Sequence, residues 1–214
     1  MKNVVYGGIL LMLFLVGCSG QSVANNMYDH LEKTVELEQP FAEQQDTFTQ
    51  LENEEQELYN QIIELSSEEM DQIQSLSEEA LSTIDERRDL LSTEKDSMDE
   101  AKEEFSNVKD EVGELEEGPK EPAEEMIQTM DERYNTYEQL NEAYAAALDQ
   151  DTALYEMMME EELTEDELKE QIDQVNQSYD EIISLNEQFN ELTDAYNDQK
   201  QTFYEATDLN ISFE

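Results

Sequence analysis

A single thiol in 214 residues raises the first chemical question. Cys18 is the only cysteine, and it follows Leu15-Val16-Gly17. That spacing resembles a bacterial lipobox, with Leu three residues before the thiol, Val next, and a small Gly at the cut. On this resemblance Cys18 becomes the mature N-terminus and carries a diacylglyceryl thioether. Upstream, Lys2 gives a charged start and Val4 to Val16 an apolar run, the layout of a cleaved secretory signal. The run is about 13 residues, well short of the roughly 20 that a permanent membrane helix needs. The alternative is an ordinary secreted protein whose lone thiol lies near the cut, but a free unpaired cysteine suits an oxidising compartment poorly. One acyl chain binds membranes only marginally, whereas two hold a protein stably. Cys18 therefore reads as a lipid anchor on an exported chain.

The other candidate groups each have a bland reading beside a chemical one. His30 is the only histidine, and a lone imidazole without a thiol partner makes neither a transition-metal site nor a triad. Met157-Met158-Met159 could bind a soft metal, yet Met126, Met130 and Met158 recur at helical spacing and read as core filler. Tyr134, Tyr137, Tyr144 and Tyr155 could stack on sugar rings, but they also suit half-buried helix faces with the hydroxyl wet. The runs Glu52-Asn53-Glu54-Glu55, Glu160-Glu161-Glu162 and Glu165-Asp166-Glu167 lack the loop spacing and glycine of an EF-hand, and read mainly as solvated surface. Arg87 and Glu94 fall seven residues apart where apolar residues are expected. Either they form a buried polar feature that fixes register or contacts a partner, or the apolar face opens to solvent there, which is the expectation adopted. No nucleophile with a base and no convergent ligand set stands out, so catalysis, a cofactor and a metal site are not expected.

These groups must be positioned by helices. Of the 214 residues 57 are acidic and 11 basic, a formal charge of −46. Cleavage before Cys18 removes Lys2 and no acid, taking the charge to −47. Such a surface repels nucleic acid, anionic headgroups and wall polymers alike. High charge can mean disorder, but the 37% hydrophobic residues are strictly periodic. Phe41, Phe48 and Ile62 form one heptad column, and Leu37, Leu51, Leu58 and Leu65 another. From Glu68 to Val112, Met70, Ile84, Leu91, Met98, Phe105 and Val112 alternate with Ile73, Ala80, Ala101 and Val108. This 3-4 spacing is the packing seam of bundled helices.

The two seams are one residue out of phase, and Ser66 with Glu69 matches a capping box, so a helix break is expected at 66–69. A continuous helix with a skip is the competing reading. Gly113, Gly118, Pro119 and Pro122 mark a loop over 113–122. Met126 to Met158 carries a third seam. Thr164 with Glu167 makes a second box, and Leu168, Ile172, Val175, Tyr179, Ile182, Phe189, Tyr196 and Phe203 carry the fourth.

The expected layout is a lipoprotein signal over 1–17, a flexible tether over 18–26, an all-α body over 27–208 and a tail over 209–214. Segments of about 40 residues would be about 60 Å long. They favour an elongated antiparallel bundle or coiled coil of three to four long helices, without an obvious concave pocket.

With the lipobox and the helical body, the stretches Pro40-Phe41-Ala42-Glu43-Gln44-Gln45 and Glu57-Leu58-Tyr59 resemble the cell-wall-binding lipoproteins of Gram-positive bacilli, the YkyA-like family. The resemblance implies a non-enzymatic protein lipid-anchored on the extracytoplasmic face of the cell membrane and associated with the wall, with no catalytic residues to carry over. The alternative is a helical scaffold or regulator that binds an envelope protein such as a wall hydrolase or secretion factor. An exposed seam would favour a dimer. The charge would require divalent cations to bridge the chain to anionic wall polymers.

Overall fold

A computed structural model describes residues 19–160, 162–207 and 209. The expected signal, Leu15, Val16, Gly17 and Cys18, and the tail beyond Leu209 lie outside the described residues. Four long helices account for nearly all of the rest: α1 (Ser19–Ile63), α2 (Met70–Glu111), α3 (Glu117–Met158) and α4 (Glu165–Ala206). At 42 to 45 residues, each is about 63–68 Å long.

Cross-helix contacts run in opposite directions along every neighbouring pair. On α1 and α2, His30 meets Glu104 while Glu55 meets Arg87. On α2 and α3, Arg88 meets Asp149 while Lys109 meets Asp131. On α1 and α4, Tyr28 meets Tyr204 while Phe41 meets Phe189. The bundle is up-down-up-down, all-α and antiparallel, as the equal segments implied.

The breaks follow local chemistry. A short 3-10 turn occupies Ser67–Glu69, and the Ser66 amide and hydroxyl both donate to Glu69 Oε2, at 3.0 and 2.9 Å. The helix therefore ends where the seams change phase, and the continuous alternative is excluded. Thr164 makes the full reciprocal box, its amide donating to Glu167 Oε2 while its hydroxyl accepts from the Glu167 amide. Both boxes satisfy amides that a helix start leaves without partners.

Two boundaries differ from expectation. The loop over 113–122 shrinks to a 3-10 turn at Val112–Glu114 and two further residues, because Gly118 and Pro119 belong to the first turn of α3. Proline is tolerated there, since the first amides of a helix have no intrahelical acceptor. The tether over 18–26 is helical from Ser19 onward. Val23, Ala24, Met27 and Leu31 lie on one helical face and are buried, so Val23 and Ala24 belong to the core although they sit among small and polar residues in sequence.

The core is divided. One cluster packs the end shared by the start of α1, the end of α2, the start of α3 and the end of α4, with Phe105, Met126, Tyr134 and Phe203 at its centre. Another fills the opposite end around Ile84, Leu148, Leu154 and Tyr155. Along the bundle α1 pairs closely with α2 and α3 with α4, and α2 against α3 joins the two hairpins, whereas the α1 and α4 backbones scarcely approach each other. That asymmetry creates the site.

Candidate functional site

The gap between α1 and α4 is a groove of about 800 Å³, which corrects the expectation that a helical rod would lack a concave pocket. Its α1 wall carries Phe41, Gln45, Phe48, Glu52, Glu55 and Tyr59, and its α4 wall Ile172, Val175, Tyr179, Ile182 and Asn186. Leu91, Leu140 and Leu154 form part of the floor. Both walls follow 3-4 spacing, so each presents a helix-packing seam to the gap. On α1, no residue between Thr34 and Phe48 is buried, and on α4 none between Gln171 and Ile182.

Arg87 lies at the base of this groove with no solvent exposure, which overturns the reading that its seam opens to solvent. Burial alone would lower the guanidinium pKa. The oxygens of Tyr144 and Tyr179 and the Glu55 carboxylate outweigh that penalty and hold its pKa above the ordinary value. Nη1 donates to Glu55, and Nη2 donates to the hydroxyls of Tyr144 and Tyr179 at 2.9 and 2.8 Å. Those hydroxyls in turn donate hydrogen bonds, Tyr144 to Glu52 at 2.5 Å and Tyr179 to Asp151 at 2.7 Å. Arg87 also approaches Glu52 at 3.5 Å and Asp151 at 3.6 Å. One cation on α2 thus joins two carboxylates on α1, a tyrosine and a carboxylate on α3, and a tyrosine on α4. Glu52 and Glu55 belong to an acidic run expected as solvated surface, yet Glu55 is buried and Glu52 half-buried.

Three carboxylates against one guanidinium leave an excess of negative charge. Burial, with the neighbouring Asp151, pushes Glu55 up to about 7 despite Arg87, and burial raises Asp151 as well. Glu94 is also buried. Its carboxylate accepts a 2.5 Å hydrogen bond from the Gln45 side chain, and burial pushes it up to about 8. It too lines the groove.

A second buried arginine ties the helices together nearer the end where α1 begins. Arg133 grips Glu38 through both terminal nitrogens, at 2.7 and 2.9 Å, donates to Thr193 at 2.8 Å, and lies 4.6 Å from the centre of the Phe189 ring. Sequence reasoning missed Arg133, Glu55 and Asp151. A signal was present: each occupies a 3-4 position in its own helix, where a charge persists only if it is paired.

The remaining candidates take structural places. His30 Nδ1 lies 2.6 Å from Glu104 and joins α1 to α2. Met126, Met130 and Met158 are core residues, as their spacing implied. Tyr134, Tyr137 and Tyr155 are buried, and Tyr137 and Tyr144 meet Phe41 and Phe48 edge-on. Among the described residues no group of three His, Cys, Asp or Glu side chains is placed to hold a metal ion, and no helix is long and apolar enough to cross a membrane.

A protein family described as "Putative cell-wall binding lipoprotein", YkyA, matches residues 22–206, nearly the whole described body. The chain belongs to that family. It is 34% identical to the uncharacterized lipoprotein YkyA of Bacillus subtilis (strain 168) over 167 residues, covering 78% of this chain and 75% of that protein. A crystal structure of a conserved protein of unknown function from Staphylococcus aureus superposes with a TM-score of 0.76, covering 90% of this chain and 98% of the other. At 13% identity that likeness concerns the fold alone. Membership of a lipoprotein family implies attachment to a membrane, and none of these descriptions names an enzymatic activity.

Proposed function

We propose that the chain is a non-enzymatic lipoprotein, held on the outer face of the plasma membrane by a lipid on Cys18, that associates with the cell wall. The observation that carries this reading is the match to a family described as cell-wall binding over residues 22–206. The lipobox-like Leu15-Val16-Gly17-Cys18 supports the anchor. A net charge of −46 opposes direct adhesion to anionic wall polymers, so divalent cations bridge the two. Sedimentation with purified sacculi should retain the protein in calcium and release it in chelator. Cys18→Ala should move it from the membrane fraction to the medium. Absence from sacculi under both conditions would remove the wall reading, and unchanged membrane retention of the variant would remove the anchor.

One observation favours a second reading, a helical scaffold or regulator for an envelope protein. The seams of α1 and α4 face a groove rather than each other, and a helix seam of this kind is a surface for another helix. Crosslinking in intact cells tests it, with an envelope protein captured through the groove as the expected result.

A further inference from the structure

We infer that the α1–α4 groove receives a basic amphipathic helix of a partner protein, which completes the bundle as a fifth helix. The inference deepens the scaffold reading and is independent of wall association.

Periodicity is the first support. On α1 the groove-facing positions Phe41, Gln45, Phe48, Glu52, Glu55 and Tyr59 step by four and three in turn, and on α4 Ile172, Val175, Tyr179 and Ile182 do the same. Such spacing matches the knobs of another helix, whereas an extended chain presents side chains at a period of two. From Phe41 to Tyr59 the α1 wall is about 27 Å long, enough for about five turns of a docked helix. The α4 seam is left short of a partner: Ile172, Val175 and Tyr179 are only half-buried, while Ile183 on the rim is 57% exposed.

Charge selects among helices. Glu52, Glu55, Asp151 and Glu187 line the groove as acidic groups, against Arg87 as its one basic lining residue, while the buried Glu94 holds its proton at neutral pH and adds no charge. An apolar stripe flanked by Lys or Arg satisfies both the aliphatic walls and this acidic excess. A second copy of the chain meets the groove with a further 57 acids and 11 bases and is repelled. A glycan finds little to stack on, because Tyr137 and Tyr144 turn edge-on to Phe41 and Phe48 and Tyr155 is 2% exposed.

The test uses the mature chain from residue 18 with Cys18→Ser, which carries no lipid and retains the entire described bundle. The probe is a fluorescent synthetic peptide of about 18 residues with Leu at a and d and Lys elsewhere, titrated at about 0.15 M salt. Comparison peptides replace Lys with Glu or scramble the same residues. Ile183→Lys with Glu187→Lys places positive charge on the rim, and Glu78→Lys with Glu79→Lys makes an equal or larger charge change on an exposed part of α2 outside the groove. The expected result is saturable one-to-one binding of the basic helix, weakened about tenfold or more by the rim pair and little changed by the α2 pair. Equal loss in both variants, or equal binding of the scramble, would reduce the attraction to bulk charge and overturn the inference. No binding, or preferential binding of soluble muropeptides, also overturns it. Capture of an envelope protein through another face in cells would keep the scaffold reading and discard the groove.

Discussion

Arg87 is fully buried and faces three carboxylates, two of them buried as well, so its removal should cost far more than a surface charge. Arg87→Met strands Glu55 and Asp151, and we expect a loss of about 3–5 kcal/mol at neutral pH, read by denaturant unfolding. The loss should shrink as pH falls below about 7, where Glu55 takes up a proton, and the raised Asp151 carboxyl adds to the same trend. Glu94 carries an independent pH effect. Its folded pKa, about 8, lies above the ordinary 4.5, so between those values the native state holds a proton that the unfolded chain has released. Stability therefore falls as pH rises through that window and stays reduced above it. Glu94→Gln should flatten the stability profile between about pH 5 and 8 and stabilise the protein by up to a few kcal/mol at pH 9. An unchanged profile would show that Glu94 does not titrate in this window. The sequence exposed Arg87 and Glu94 as anomalies on a seam, but their burial was not legible. Whether a charge can remain inside depends on partners from other helices, and the register that brings Glu55, Asp151 and Tyr179 to Arg87 is a property of the assembled bundle.

Helix identity was far more legible than helix contact. The phase change at Ser66 and the two capping boxes are local, i to i+3 signals, and they placed the breaks correctly. The start of α1 was not, because Ser19 to Asn26 is small and polar apart from Val23 and Ala24, and only packing against the far ends of the other helices makes those two residues core. The groove was invisible for a related reason: seam spacing shows that a face packs, without showing how close its neighbour stands. Pro40 lies on the loosely covered part of α1 and leaves the Glu36 carbonyl without its usual amide. Amide hydrogen exchange should therefore be fastest, within the helical body away from its ends, over 35–47 of α1 and 172–181 of α4, and slowest in α2 and α3. Uniform protection across all four helices would contradict the divided core.

At the scale of the whole molecule, a charge of −46 opposes the compact state through self-repulsion. The melting temperature should rise with sodium chloride as the screening length shrinks from about 10 Å at 0.1 M to about 3 Å at 1 M, and a salt-independent melt would mean that the acids are already neutralised. The four long helices of similar length and the buried arginines that tie them together describe a rod. Because α1 begins at Ser19, the residue next to Cys18, an acyl chain there would leave no slack between bilayer and rod. A bilayer rich in anionic headgroups would then push the body upright like a bristle. The turn joining α2 to α3 would brush the lipid, the turns at 64–69 and 159–164 would form the crown, and Phe41 to Tyr59 would stand about 33–60 Å up the shaft, clear of the headgroups and within reach of whatever fills the space beneath the wall.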